Sequence, residues 1–200
     1  MKLRRASTQL AASARRSLSI SAVVARTEVV LRLVEAADSL GPVLVLSGEL
    51  TEWARGRTLA DYGIELEFES DQALFCDLEV LRESRARLYV AEIEGEPVGM
   101  GGLRPLVADE AEIKRMYVRP SARGLGVGRA ILQRLVDDAR ALGYKTIRLD
   151  SAPFMHEAHA LYGSFGFVPS SPHEGWEFEG VPALRDVPVV FMSLDLGPDC

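Results

Sequence analysis

Cysteine is nearly absent. Cys76 and Cys200 are the two in 200 residues, too far apart in sequence for a metal-ligand spacing, which fits reduced thiols in structural or incidental roles. Long apolar runs are missing as well. No stretch approaches the roughly 18–20 apolar residues of a membrane span, so a soluble protein with no membrane partner is expected. Lysine is scarce, since nearly all of the 23 basic residues are arginine; that pattern suggests a GC-rich gene and says nothing of a compartment. Acidic side chains are lacking from residues 1–27, so the rest of the chain holds all 29 of them. An acidic body disfavours nucleic-acid binding, because phosphate contacts need a basic footprint. It suits a small cationic partner better.

What is present is ordinary globular composition. With 48% hydrophobic and 26% charged residues and a formal net charge of −6, the chain has enough apolar surface to offset its conformational entropy. Its length predicts one well-buried domain, over 28–196. Residues 197–200 form a C-terminal tail. Residues 1–27 carry Lys2, Arg4, Arg5, Arg15, Arg16 and Arg26 among Ser and Ala, and read as a basic, flexible extension. The same composition is that of a mitochondrial transit peptide. The expected location is therefore cytoplasmic, with the mitochondrial matrix as the alternative.

Hydrophobic periodicity then sets the elements. Strands are predicted over 28–35, 88–93, 98–106, 113–118, 146–150, 167–169 and 187–194, where alternation and β-branching dominate. Helices are predicted over 43–59, 71–81, 127–142 and 154–164, with a loop over 61–70. Gly95 supplies turn chemistry between the second and third strands. Asp109 and Glu110 mark another turn, and Pro120 stops the strand that ends at Val118. The strand over 146–150 follows a helix and is expected to run parallel to the one ending at Val118. The fold class is α/β: a mixed, mostly antiparallel sheet flanked by helices in a single domain.

The segment 112–142 carries the chemistry. A strand leads into three alternating glycines, Gly124, Gly126 and Gly128, and then into an amphipathic helix with Val127, Ile131, Leu132, Leu135, Val136, Ala139 and Leu142 at helical spacing. Backbone NH groups at the positive end of such a helix form an anion site. Two common nucleotide motifs fail. Gly128 is followed by Arg129 and Ala130, where a P-loop needs Lys and Ser or Thr. A GxGxxG fingerprint starting at Gly124 puts Arg129 on its third glycine. What remains is Arg123, Gly126 and Gly128 in the pattern [Q/R]xxGx[G/A].

With that pattern in VRPSARGLGVG, the following helix, the strand TIRLDSA, and EAHALYGSFGFVP with a tyrosine shortly before a Gly-Phe, the chain resembles the GNAT superfamily of N-acetyltransferases from about Glu28 to Leu196. The resemblance implies an enzyme that moves the acetyl group of acetyl-CoA to a primary amine, of a small molecule or a peptide, by direct attack in a ternary complex. A non-catalytic acyl-CoA-binding sensor is the alternative. It implies that Arg123, Gly124, Leu125, Gly126, Val127, Gly128 and Arg129 hold the pyrophosphate, and that the backbone of Met116, Tyr117 and Val118 pairs with pantetheine where this strand splays from the next. Tyr162 sits where relatives place the acid that protonates the leaving thiolate. Glu112 has the offset from Val118 at which some members carry the base. Asp150 is the substitute base or the partner of the substrate ammonium.

Other candidates have plainer readings. His156 and His159 stand three apart on one predicted helix with no third ligand, so a surface or packing role is expected, and no metal. Trp53, Tyr62, His173 and Trp176 are candidates to line the acceptor pocket, although aromatic residues serve equally as core. A monomer or a homodimer is expected.

Overall fold

Two apolar faces of one sheet organise the chain. The computed structural model describes residues 28–65, 71–174, 176 and 187–197; the extension over 1–27, residues 66–70 of the expected loop and residues 198–200 of the tail lie outside them. The elements are β1 (Val30–Leu33), α1 (Gly41–Tyr62), α2 (Asp71–Val80), β2 (Arg87–Ile93), β3 (Glu96–Pro105), β4 (Glu110–Val118), a 3-10 turn (Pro120–Ala122), α3 (Val127–Ala141), β5 (Thr146–Ser151), α4 (His156–Gly163), β6 (Val168–Pro169) and β7 (Val190–Asp195). Strand order is β1-β2-β3-β4-β5-β7-β6. The pairings are antiparallel except β4 with β5, which are parallel as expected. The mixed, mostly antiparallel sheet flanked by helices is therefore observed. No helix among the described residues is long and apolar enough to cross a membrane.

Each face has its own core. Val43 and Leu46 of α1 and Leu78 of α2 bury against Leu88, Val90 and Met100 on one side. On the other, Ile131, Leu132, Leu135 and Val136 of α3 pack on Leu103, Ile113, Ile147 and Leu149. Fully buried leucines and isoleucines of this kind each contribute about 1.5–3 kcal/mol. Helix α1 starts at Gly41-Pro42, where proline's fixed φ suits the first turn. It ends at Gly63, whose φ of 67° is a left-handed cap. It thus runs three residues past the expected stop at Leu59 and takes in Tyr62.

Three further differences concern strands. β7 begins at Val190, not at 187. β4 begins at Glu110, so the expected turn there is shorter and Glu112 lies inside the strand and not at its end. The reason is pairing: Glu110 and Glu112 find arginines on neighbouring strands, Arg148 at 2.5 Å and Arg104 at 2.7 Å, which lets two acids enter a sheet. Finally, β3 and β4 shift register between Met100 and Gly102, where Arg115 takes a positive φ of 56°. This is a bulge, and it bends β4.

Candidate active site

The bulge decides where the sheet opens. β4 and β5 pair at Glu110 with Thr146, Ala111 with Ile147 and Glu112 with Arg148, and no pairing joins them beyond that point. From Ile113 to Val118 the strand edge facing β5 has backbone groups with no ladder partner. Glycines on β3 make the bend possible. A Cβ on Gly101 would meet Ile131 Cγ2 and Met116 Sδ, both at 2.6 Å, so α3 and the bulged strand press on bare backbone there. The Arg115 side chain is held by Asp77 on α2, with Nε–Oδ2 at 3.0 Å.

Below the gap lies the glycine loop. Gly124 and Gly126 have φ values of 78° and 88°, a region that other residues enter only with strain. Gly126 is the N-cap of α3 with no side-chain cap, and the first turn holds no acid, so no group of the helix itself competes for its leading NH groups, although Glu157 of α4 lines the same cavity. At Gly128 a Cβ would lie 3.3 Å from Leu161 Cδ2; the bare backbone brings α3 close to α4. A cavity of about 420 Å³ follows from this arrangement, lined by Met116, Tyr117 and Val118 on β4, by Arg123, Gly124, Gly126, Val127, Gly128 and Arg129 on the loop, and by α1 and α4 across from them.

A second, smaller cavity of about 130 Å³ opens on the other side of the junction. Thr51, Ala54 and Thr58 of α1, Lys114 of β4, Asp150 and Ser151 of β5, and Phe154 line it. The two cavities share Leu50, Met116, Met155 and Tyr162. Tyr162 is 5% exposed, and its hydroxyl makes no hydrogen bond among the described residues. Burial first, and the nearby Asp150 carboxylate second, push its ionisation well above that of an ordinary tyrosine, so the phenol keeps its proton.

Helix α1 is fastened over this junction by charge. Arg119, just past β4, binds Glu49 through Nη2 at 2.7 Å and the Pro97 carbonyl through Nη1 at 2.7 Å. Its guanidinium, with burial opposing, holds the Glu49 carboxyl below the usual range. The clamp presents Trp53, which stacks edge-on with Phe154 at 5.4 Å and lies under the Arg123 guanidinium at 5.8 Å.

The family model for the acetyltransferase (GNAT) family matches residues 48–167, which span the loop, the gap and Tyr162. The chain belongs to the GNAT family of acetyltransferases. Among its relatives, the IAA acetyltransferase of Azospirillum brasilense is 33% identical over 130 residues, covering 60% of this chain and 85% of that one. The uncharacterized N-acetyltransferase YjgM of Escherichia coli is 39% identical over 82 residues, 40% of this chain and about half (49%) of its own length. In structure, the acetyltransferase yncA of Salmonella typhimurium with its cofactor acetyl-CoA matches with a TM-score of 0.59 at 22% identity, covering 86% of this chain and 96% of that one; at such identity the likeness speaks for the fold.

Within this GNAT fold the expected residues fall into groups. Every expected cofactor-binding residue lines the larger cavity except Leu125, which is 48% exposed. Arg123 donates from Nε to the Val118 carbonyl at 3.2 Å, and Arg129 donates to Ser164 Oγ at 3.0 Å. Tyr162 stands at the junction and Asp150 on the wall of the smaller cavity. Glu112 is elsewhere. It is fully buried, with Arg104 on Oε2 at 2.7 Å and His173 Nε2 at 3.0 Å and Lys114 at 3.9 Å on Oε1, and it lines neither cavity. Glu112, Asp150 and His173 also bring ligand atoms within 4.8 Å of one another, but the two cations already on Glu112 oppose a metal ion there.

Of the aromatic candidates for the acceptor pocket, Trp53 lines the larger cavity instead, Tyr62 and His173 line neither, and Trp176 packs edge-on against Phe191 at 5.2 Å. Sequence reasoning missed Leu50, Thr51, Thr58, Ser151, Phe154 and Met155. Their one common signal is position, on the α1 face opposite β4 or at and just after the end of β5.

Proposed function

We propose that the chain transfers the acetyl group of acetyl-CoA to a primary amine, of a small molecule or a peptide, by direct attack in a ternary complex. One observation carries this reading: a phosphate-compatible cavity and a separate, smaller cavity meet at a single protonated tyrosine. The residues suit the cosubstrate. The left-handed glycines, the bare Gly128 backbone and the uncapped helix end form a cradle for a pyrophosphate, with Arg123 and Arg129 beside it. The unladdered edge of β4 offers backbone donors and acceptors to an extended amide chain, as an added strand would use them. Acetyl-CoA, when bound, supplies an acetyl group activated as a thioester.

The chain's own groups do the rest. Backbone NH groups near Met116 stabilise negative charge on a carbonyl oxygen. Tyr162, kept protonated by burial and Asp150, donates to the sulfur as it leaves. Asp150 attracts the substrate ammonium to the smaller cavity. Glu112, the expected base, instead supports the site from behind by joining β3 to β4 and to the His173 loop. The test is thiol release from acetyl-CoA across a panel of amino acids, diamines and short peptides. Release that depends on the amine supports transfer. Tight acetyl-CoA binding with no amine-dependent release supports the sensor reading instead.

A further inference from the structure

The corner between β5 and α4 holds a serine–histidine pair that the chemistry above does not use. Ser151 ends β5, lines the smaller cavity and is 6% exposed. Its Oγ lies 3.0 Å from Nε2 of His159, one turn into α4. The other acceptor within reach of that hydroxyl is Met155 Sδ at 3.5 Å, a much weaker one. His159 itself is partly exposed, so the pair runs from the cavity wall to solvent. Glu112 has no such path, enclosed as it is by Arg104, Lys114 and His173.

We propose that Ser151 and His159 form the proton-accepting relay of the acceptor cavity, Ser151 meeting the amine and His159 drawing the proton out; this rests on the transferase reading. A nucleophile's base needs a free lone pair and an orienting partner. His159 has both. In the neutral tautomer protonated on Nδ1, Nε2 is left to accept from Ser151 Oγ at 3.0 Å. Burial first and His156 second hold its ionisation below the ordinary histidine range, with a backbone hydrogen bond to Ala152 opposing, so the neutral form prevails at neutral pH. His156 on its own helix is the titratable group acting on it. From β5 it faces Ser151, and among the described residues no carboxylate pairs with it.

The protons balance. The ammonium nitrogen gives one to Ser151 Oγ as the Ser151 proton passes to His159 Nε2, which releases it to solvent. The freed lone pair forms the nitrogen–carbon bond, the carbon–sulfur bond breaks, and the sulfur takes the Tyr162 hydroxyl proton. The second nitrogen proton leaves by the same relay, and Tyr162 regains one from solvent.

The experiment compares His159→Gln, Ser151→Ala and Ser151→Thr with the wild type, using acetyl-CoA and the panel amine of highest turnover. His159→Gln and Ser151→Ala should each lower kcat about a hundredfold, leave acetyl-CoA affinity and amine KM within about twofold, and remove a limb of the pH profile lying below 6.5. Ser151→Thr keeps the hydroxyl and should stay within a few-fold of the wild type. A kcat near the wild-type value in His159→Gln or Ser151→Ala overturns the relay while leaving the transferase reading intact; a wild type that acetylates no amine overturns both. Nitrogen NMR of the His159 ring gives a readout free of turnover. An unprotonated Nε2 in the neutral form, perturbed by Ser151→Ala, supports the relay, and a neutral ring protonated on Nε2 overturns it.

Discussion

Replacing Gly126 by alanine should injure the site in a way whose size can be worked out beforehand. A Cβ at Gly126 has nothing within 4 Å to strike, so crowding is not the problem. The φ of 88° is. An L-residue in the left-handed region costs about 1–2 kcal/mol, and that cost must appear somewhere. If the loop keeps its shape, the folded state bears the strain, and Tm falls by about 2–8 °C for a chain of this size. If the loop relaxes, its NH groups no longer converge, and acetyl-CoA affinity falls by about 5–30-fold. Calorimetric titration with acetyl-CoA and a thermal melt on the same variant together capture the whole penalty, however it divides. Gly126→Asn is the control, because asparagine tolerates left-handed φ; both of its effects should be smaller. A Gly126→Ala protein with unchanged Tm and unchanged affinity refutes the left-handed cradle.

Other perturbations separate charge, packing and support. Arg123→Glu places an anion beside the helix end and should weaken acetyl-CoA binding at least tenfold by calorimetry, with the deficit shrinking as salt is added. Gly101→Ala forces a methyl group into Ile131 and Met116, so a urea melt should show a loss of about 1–3 kcal/mol. Glu112→Gln strips the charge that Arg104 and Lys114 share in a fully buried site. Breaking a buried pair costs about 3–5 kcal/mol, so stability by urea melt should drop strongly while kcat per folded molecule keeps its pH profile; a shifted profile at unchanged stability would return Glu112 to the role of base.

Much of the fold was legible because periodicity is local. The amphipathic run from Val127 to Leu142 and the alternation over 88–93 needed no partner to be read, and the parallel setting of β5 followed from the helix before it. The candidate cradle could be named for a related reason, since Arg123, Gly126 and Gly128 lie within one short segment. Glu112 shows where local reading stops. Its environment comes from Arg104 and His173, residues 8 and 61 positions away, and nothing in its own neighbourhood tells a solvated strand-end acid from a fully buried one. The aromatic candidates failed similarly. Trp53 and Tyr62 share α1, but helix rotation and the Glu49–Arg119 clamp decide which of them meets a cavity. Ser151 and His159 carried no sequence signal as a pair, being joined only by the turn between β5 and α4.

The central claim is that transfer happens where the two cavities meet, at Tyr162. The most direct measurement is acetyl-CoA affinity and amine-dependent thiol release, determined on matched samples of the wild type and Tyr162→Phe. The account predicts affinities within about twofold and a turnover lowered about a hundredfold or more, the usual contribution of a positioned acid. Equal turnover in the two proteins would contradict it.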